Sequence, residues 1–446
     1  MILPSLFLAI GNHQIEVAET LIQVGRFLVL FIAARMMAEL MVRLSLPTIL
    51  GELLAGVLIG VSGFHFLLPP ETGAQINGLL LDLVASLADV TPATVQQLYN
   101  ESYPGLEQIS VLGLYALLFL TGLESELDEL MAVGLQATTV AVTGVLLPFA
   151  LGTAGLVLLF QVPLILAIFA GAAMTATSIG ITASVFGELG WLRRREGQIV
   201  IGAAVLDDIL GIVILAVVVA LAGGEGLTPG PIVKLVVAAA LFVAAALFLS
   251  RTAAPLFDWV LDHLKAPGEV VVAGFVVLTL CCFLAQAIGL EAALGAFAAG
   301  LILSRSKHTE AIQATVKPLV ALFATVFFVL IGTGMDLSVL NPLEPANQQG
   351  LVVALFLLLV AIVGKVAAGW TYTSSEPTNR LVVGLGMMPR GEVGLIFLGL
   401  GTQAKLLTPA LEAAILLMVI GTTFLAPILL RLVLSGDEGT VAEQTL

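Results

Sequence analysis

Charge is scarce in this sequence. Lys, Arg, Asp and Glu make up 11% of its 446 residues, against 59% that are hydrophobic. A soluble domain of this size has no use for so much apolar surface, so a soluble globular class is excluded. Basic residues are scarcer than acidic ones, 17 against 31, which excludes nucleic acid as a partner. Only two cysteines occur, Cys281 and Cys282, side by side in one apolar run; they support neither a disulfide framework nor a metal site. The histidines His13, His65, His263 and His308 fall outside the apolar runs or near their ends, and no Cys/His cluster offers transition-metal ligands. The first residues are apolar but lack a basic n-region and a small-residue cleavage site, so a cleaved signal peptide is not expected. No alternating strands of about ten residues occur, which excludes a transmembrane barrel.

What remains is long apolar runs, and these predict an all-α polytopic membrane protein, because helices satisfy their own backbone in lipid. Thirteen spans are expected, at 19–43, 47–65, 107–124, 131–160, 164–186, 198–222, 231–250, 268–288, 291–305, 317–334, 350–373, 380–403 and 409–433. Basic residues sort by side under this count. Arg43, Arg193, Arg194, Arg195, Arg251, Lys265, Arg305, Lys307, Lys317, Arg380 and Arg431 follow odd-numbered spans; only Lys234 and Lys405 fall on the other side. The bias predicts a non-cytoplasmic N-terminus and a cytoplasmic C-terminus. The plasma membrane and an internal energy-coupling membrane fit equally well. The stretch 66–108 has no Lys or Arg and reads as an acidic non-cytoplasmic connector, with a surface helix near 76–87. The tail 435–446 is too short for a regulatory domain such as a nucleotide-binding module.

Two echoes point to internal symmetry. Thr121-Gly122-Leu123-Glu124 resembles Thr333-Gly334-Met335-Asp336, and Glu52-Leu-Leu-Ala-Gly56 resembles Glu291-Ala-Ala-Leu-Gly295. Both skip seven spans, and an odd offset makes the copies run in opposite directions through the membrane. The expected organisation is one transporter domain over 1–446, with inverted repeats at 47–222 and 291–433 joined by linker helices at 231–288.

The chemistry gathers at mid-depth. Gly202-Ala-Ala-Val-Leu-Asp207-Asp208-Ile-Leu-Gly211 puts two carboxylates roughly ten residues into an apolar run, about 15 Å deep at 1.5 Å per residue. A charge there costs roughly 2.5 to 3.5 kcal/mol, so the pair is read as an intramembrane site for a cation, a proton, or each in turn. The fifth span holds Met174-Thr175-Ala176-Thr177-Ser178-Ile179-Gly180-Ile181-Thr182, hydroxyls and a glycine where a lipid-facing helix would show leucine. The twelfth, its repeat partner, holds Pro389-Arg390-Gly391-Glu392. Both are expected to be discontinuous helices that cross, because irregular backbone at this depth survives only inside protein or beside a water-filled cavity. Small-residue helix packing is the plain alternative for the hydroxyl run. Lys365, in Val363-Gly364-Lys365-Val366, is deep enough in the eleventh span to want one of the two aspartates. Successive helical residues point about 100° apart, so one carboxylate can take Lys365 while the other opens to the cavity and exchanges a proton for a cation. The hard oxygens of Asp208, Thr177 and Ser178 suit Na+ or Li+. A cation channel is the rival reading; an intramembrane aspartyl protease would need its two aspartates on separate helices.

Together, the Asp207-Asp208 motif, the Thr175–Thr182 run, Gly364-Lys365 and Arg390-Gly391-Glu392-Val-Gly394 resemble the monovalent cation:proton antiporter superfamily, in the branch of NapA-like and Kef-like proteins. The resemblance implies the NhaA/NapA-like antiporter fold, and a homodimer with a dimerisation domain and a six-helix core. It implies an electrogenic Na+/H+ exchanger without a cofactor, not an enzyme, moving its core like an elevator. It assigns Asp208 to ion and proton binding and Asp207 to pairing with Lys365. Thr177 and Ser178 fall in one crossing, and Arg390 and Glu392 support the core from the other. A K+/H+ antiporter or a Kef-like efflux channel is the alternative.

Overall fold

The computed structural model describes residues 2–44, 46–124, 132–222, 229–252, 254–263, 268–290, 292–340, 345–373, 377–390 and 407–443. Within them the chain is helical, with no strand among the described residues. The chain divides into two compact units, 1–114 with 321–338, and 115–320 with 339–446. Each unit draws on both of the repeats expected from sequence.

The first unit is built on helix α1 (Ile2–Arg43), helix α2 (Thr48–Ile59) and helix α3 (Gly78–Ala88). It also holds most of α4 (Pro92–Glu124) and the later turns of a helix at Thr309–Thr333, numbered α13 below. Helix α2 has 12 residues, about 18 Å at 1.5 Å per residue, too short to cross a hydrocarbon core of about 30 Å. It is wedged between two neighbours by glycines. A β-carbon on Gly51 would lie 2.5 Å from the Met37 carbonyl of α1. One on Gly56 would lie 2.1 Å from the Val329 carbonyl. The register against 325–335 then continues: Val61 N–H donates to Thr333 O at 3.0 Å, and Ser62 Oγ to Met335 O at 2.7 Å. Backbones meet here without side chains between them, the small-residue mode of membrane packing.

One sequence expectation needs correcting in this unit. The stretch 66–108 is not a plain connector, because α4 starts at Pro92, well before the apolar run at 107. Its polar first turns are helical because Val95, Tyr99, Tyr103 and Leu106 recur on one buried face. Tyr99 Oη accepts from Leu68 N–H at 2.8 Å. Arg26, in the middle of α1 and only 4% exposed, stacks its guanidinium 3.8 Å over the Tyr99 ring. It also donates to Ser102 Oγ at 2.9 Å and to the Tyr99 carbonyl. Arg26→Ala is therefore expected to cost about 2–4 kcal/mol, from lost charge-assisted hydrogen bonds and stacking, read as a lower melting temperature in detergent. The surface helix expected near 76–87 is α3, capped by Asn77, whose side chain accepts from Leu79 N–H at 3.0 Å.

The second unit takes the end of α4 and then α5 (Gly134–Phe160), α6 (Leu164–Ala173), α7 (Ile179–Glu188) and α8 (Arg195–Ala222). After these come α9 (Pro229–Thr252), α10 (Ala254–His263), α11 (Glu269–Ala287), α12 (Ala292–Leu303) and the start of α13 (Thr309–Thr333). Helices α14 (Pro345–Ala368), α15 (Arg380–Gly386) and α16 (Pro409–Glu443) complete it. A second backbone-on-backbone contact occurs here: a β-carbon on Gly300 of α12 would lie 2.1 Å from Phe119 O of α4. Leu357 and Ala361 of α14 pack with Ile415 and Met418 of α16 in an apolar core.

Seven described helices are long and apolar enough to cross a bilayer. Three of the expected spans outside these seven differ from a single long helix in the structure. The expected spans 47–65 and 291–305 are helices of 12 residues each, and 164–186 is split into α6 and α7. The span 380–403 runs into residues outside the description.

Candidate functional site

Two breaks in helical structure organise the second unit. Helix α6 stops at Ala173 and α7 starts at Ile179. Between them, the Thr175 hydroxyl bonds back to Ala172 O at 2.8 Å, a local side-chain bond that competes with the helix ladder. Helix α15 starts under the Asn379 cap, whose side chain accepts from Leu381 and Val382 N–H at 3.2 Å each. It ends at Gly386, and Pro389 follows, unable to donate to a continuing helix.

The two breaks meet. Ser178 N–H donates to Pro389 O at 2.9 Å, and Thr182 Oγ1 to Gly386 O at 2.9 Å. Arg390 Nη1 donates to the Ala176 carbonyl, and the Arg390 carbonyl accepts from Thr423 Oγ1 of α16. Backbone freed by one break is thus satisfied by the other, as irregular structure at membrane depth requires.

Beside the crossing lies a buried ion pair. Lys365 Nζ of α14 is 2.6 Å from Asp207 Oδ2 of α8, both side chains wholly buried. Thr177 Oγ1 lies 2.6 Å from the same oxygen and 3.0 Å from Met387 O, so its one proton has two acceptors. Gly144 of α5 leaves room for the lysine stem: a β-carbon there would sit 3.4 Å from Lys365 Cδ. Asp207 Oδ1 and two guanidinium nitrogens of Arg390, Nε and Nη2, are buried and find no hydrogen-bond partner among the described residues. A buried ion pair recovers its desolvation cost only with good geometry and added hydrogen bonds, and Thr177 supplies one of these.

The structure therefore brings together Asp207, Lys365, Thr177, Ser178 and Arg390 of the residues singled out in sequence. The side chain of Asp208, on α8, and all of Glu392 lie outside the described residues. Sequence reasoning gave Thr182 no role of its own and missed Thr423. Thr182 closes the hydroxyl run already noted and carries the signal of small polar residues in an apolar stretch; Thr423 gives no such signal.

Comparison with known proteins is consistent over at least 90% of the chain. The family described as "Sodium/hydrogen exchanger, transmembrane" matches residues 7–436. The high-affinity Na+/H+ antiporter NhaS3 of Synechocystis is 47% identical over 411 residues, covering 92% of this chain and 89% of that protein. The Na+/H+-K+ antiporter GerN of Bacillus cereus is 28% identical over 407 residues, covering 90% of this chain and 94% of its own. Among solved structures, the sodium proton antiporter MjNhaP1 from Methanocaldococcus jannaschii at pH 8 matches with a TM-score of 0.60 at 18% identity, covering 93% of this chain and 97% of that one. At that identity the likeness establishes a shared fold.

Proposed function

This chain belongs to the sodium/hydrogen exchanger family, a multi-pass integral membrane protein, and from that premise we propose that it is a secondary antiporter exchanging Na+ or Li+ for H+. The observation that carries the reading is the wholly buried Lys365–Asp207 pair set against two crossed, interrupted helices. Asp208 is the exchanging group: H+ and the cation occupy it by turns, with Thr177 and Ser178 supplying further oxygen. Lys365 and Arg390 balance charge, with Glu392 supporting the core from the same crossing. The protein is a carrier and not an enzyme, and works without a cofactor.

The finer architecture is part of the same proposal. Thirteen spans in inverted repeats are supported by the two equivalent glycine contacts, α2 on α13 and α12 on α4, which the repeat relation exchanges. The asymmetry of basic residues supports a cytoplasmic C-terminus. A homodimer and elevator-type, electrogenic movement follow from the family resemblance. If net charge moves, each elementary charge is worth about 2.3 kcal/mol per 100 mV, so a membrane potential can drive extrusion.

GerN's name gives K+ a specific claim as a second substrate. Proton flux in proteoliposomes, with Na+, Li+ and K+ added separately and with or without an imposed potential, tests all of this. Na+-dependent proton movement that responds to potential is expected. Cation flux with no proton coupling would replace the antiporter by a channel.

A further inference from the structure

Helix α8 does more than carry Asp207. Glu196, Val200, Ala203 and Asp207 recur along it at i, i+4, i+7 and i+11, so they share one face, and all of them are buried. Eleven residues make just over three turns, about 16 Å along the helix axis. That face meets α15. Glu196 Oε1 accepts from the backbone N–H of Asn379, the cap of α15, at 2.8 Å. A β-carbon on Gly386, the last residue of α15, would lie 2.9 Å from Val200 Cγ2. Asp207 meets the following residue through Thr177, whose hydroxyl lies 2.6 Å from Asp207 Oδ2 and 3.0 Å from Met387 O. Helix α14 presses on α15 as well: a β-carbon on Gly384 would lie 2.4 Å from the carbonyl of Val366, the residue after Lys365. The two helices that bear the ion pair therefore take their register from the same short helix. Helix α14 is registered by backbone contact; α8 is anchored by polar groups, Glu196 at one end of its stripe and Asp207 at the other.

We propose that Glu196 is a positioning residue of the exchange site. By fixing α8 on α15 it holds Asp207 within reach of Lys365, and with Asp207 the neighbouring Asp208. The chemistry suits an anchor: a carboxylate accepting from a backbone N–H makes a stronger bond than a neutral acceptor does. Glu196 is only 9% exposed, and a low-dielectric surrounding strengthens that bond further. Without it α8 is free to slide or tilt on α15. A slip of about 1 Å would carry the 2.6 Å contact of Lys365 with Asp207 beyond hydrogen-bond length. The inference rests on the exchanger reading above.

The test joins a melting cycle to Na+-driven proton flux, both on the full chain. Lys365→Ala is made in the wild type and in Glu196→Ala, and the melting temperatures in detergent are compared. Effects of residues this far apart usually add when they share no partner. Here the fall caused by Lys365→Ala is expected to shrink by about half in the Glu196→Ala background, because the ion pair is already loosened. In proteoliposomes Glu196→Ala is expected to raise the apparent KM for Na+ about fivefold, the equilibrium factor of one hydrogen bond. Glu196→Gln keeps an acceptor for Asn379 N–H, so its KM should stay within about twofold of wild type. Additive falls in melting temperature, an unchanged KM in Glu196→Ala, or a Glu196→Gln variant equally impaired each overturn the assignment. Should Glu196→Ala fail to fold, Glu196→Asp takes its place, its carboxylate set back from Asn379 by a methylene. The same shrinkage is then expected, and additive falls are decisive against. Additive melting beside a wild type that exchanges Na+ sinks only Glu196; a wild type with no cation-driven proton flux sinks the exchanger reading itself.

Discussion

Asp208→Asn is expected to reduce Na+-dependent proton flux to the level of protein-free liposomes while leaving the protein folded and membrane-inserted. The reasoning is chemical. Antiport needs one group that binds H+ and a cation in mutually exclusive fashion. Asp207 is held at Oδ2 by both Lys365 and Thr177, a poor position from which to release and rebind a partner in every cycle. On the proposed mechanism its neighbour carries the exchange. Asn has nearly the shape of Asp, so packing on α8 is preserved, but it neither takes up a proton near neutral pH nor offers a cation a full negative charge. Flux in reconstituted liposomes, beside a melting curve for the same preparation, decides the matter. Exchange near the wild-type rate would move the ion site away from this residue.

The second large effect is on stability. Lys365→Ala leaves the Asp207 carboxylate wholly buried without its cation, and breaking a buried pair in this way costs about 3–5 kcal/mol. The variant is expected to melt well below wild type, or to alter the charge moved per cycle. The double variant Lys365→Ala with Asp207→Asn removes both charges together and is expected to recover much of the lost stability. Potential-dependent flux and melting temperature, measured on both single variants and the double, give the coupling directly. If Lys365→Ala changes neither, the ion pair has no part in folding or transport.

How far the sequence speaks for itself depends on the element. The buried pair is legible because ionisable residues are so few in the apolar runs that Lys365 has almost no partner but the two aspartates. Geometry restricts it to one of them, the family resemblance points to Asp207, and the structure has Lys365 on Asp207. The break between α6 and α7 is legible from Thr175 to Ser178 and the end of α15 from Pro389, residue types that compete with or forbid a helix ladder. The early turns of α4 are not legible in the same way. Hydropathy averaged over a window misses a helix whose apolar residues, Val95, Tyr99, Tyr103 and Leu106, form only one stripe. Arg26 could have been noticed as an arginine within an apolar run, but its ring partners lie on α4 more than seventy residues away, a distance no local pattern spans. Thr423 is silent because its partner is the backbone of Arg390, and backbone carries no sequence signature.

The interlocking of the two helix breaks has a mechanical consequence. Ser178 and Pro389, Arg390 and Ala176, Thr182 and Gly386 satisfy one another's hydrogen-bonding groups inside the protein. Pulling one break away from the other would strand several amides and carbonyls at once, at several kcal/mol apiece. The two stretches are therefore expected to move as one piece, with Asp207 hooked to them through Thr177. In the elevator-type movement proposed above, the binding pocket would ride along with them as cargo.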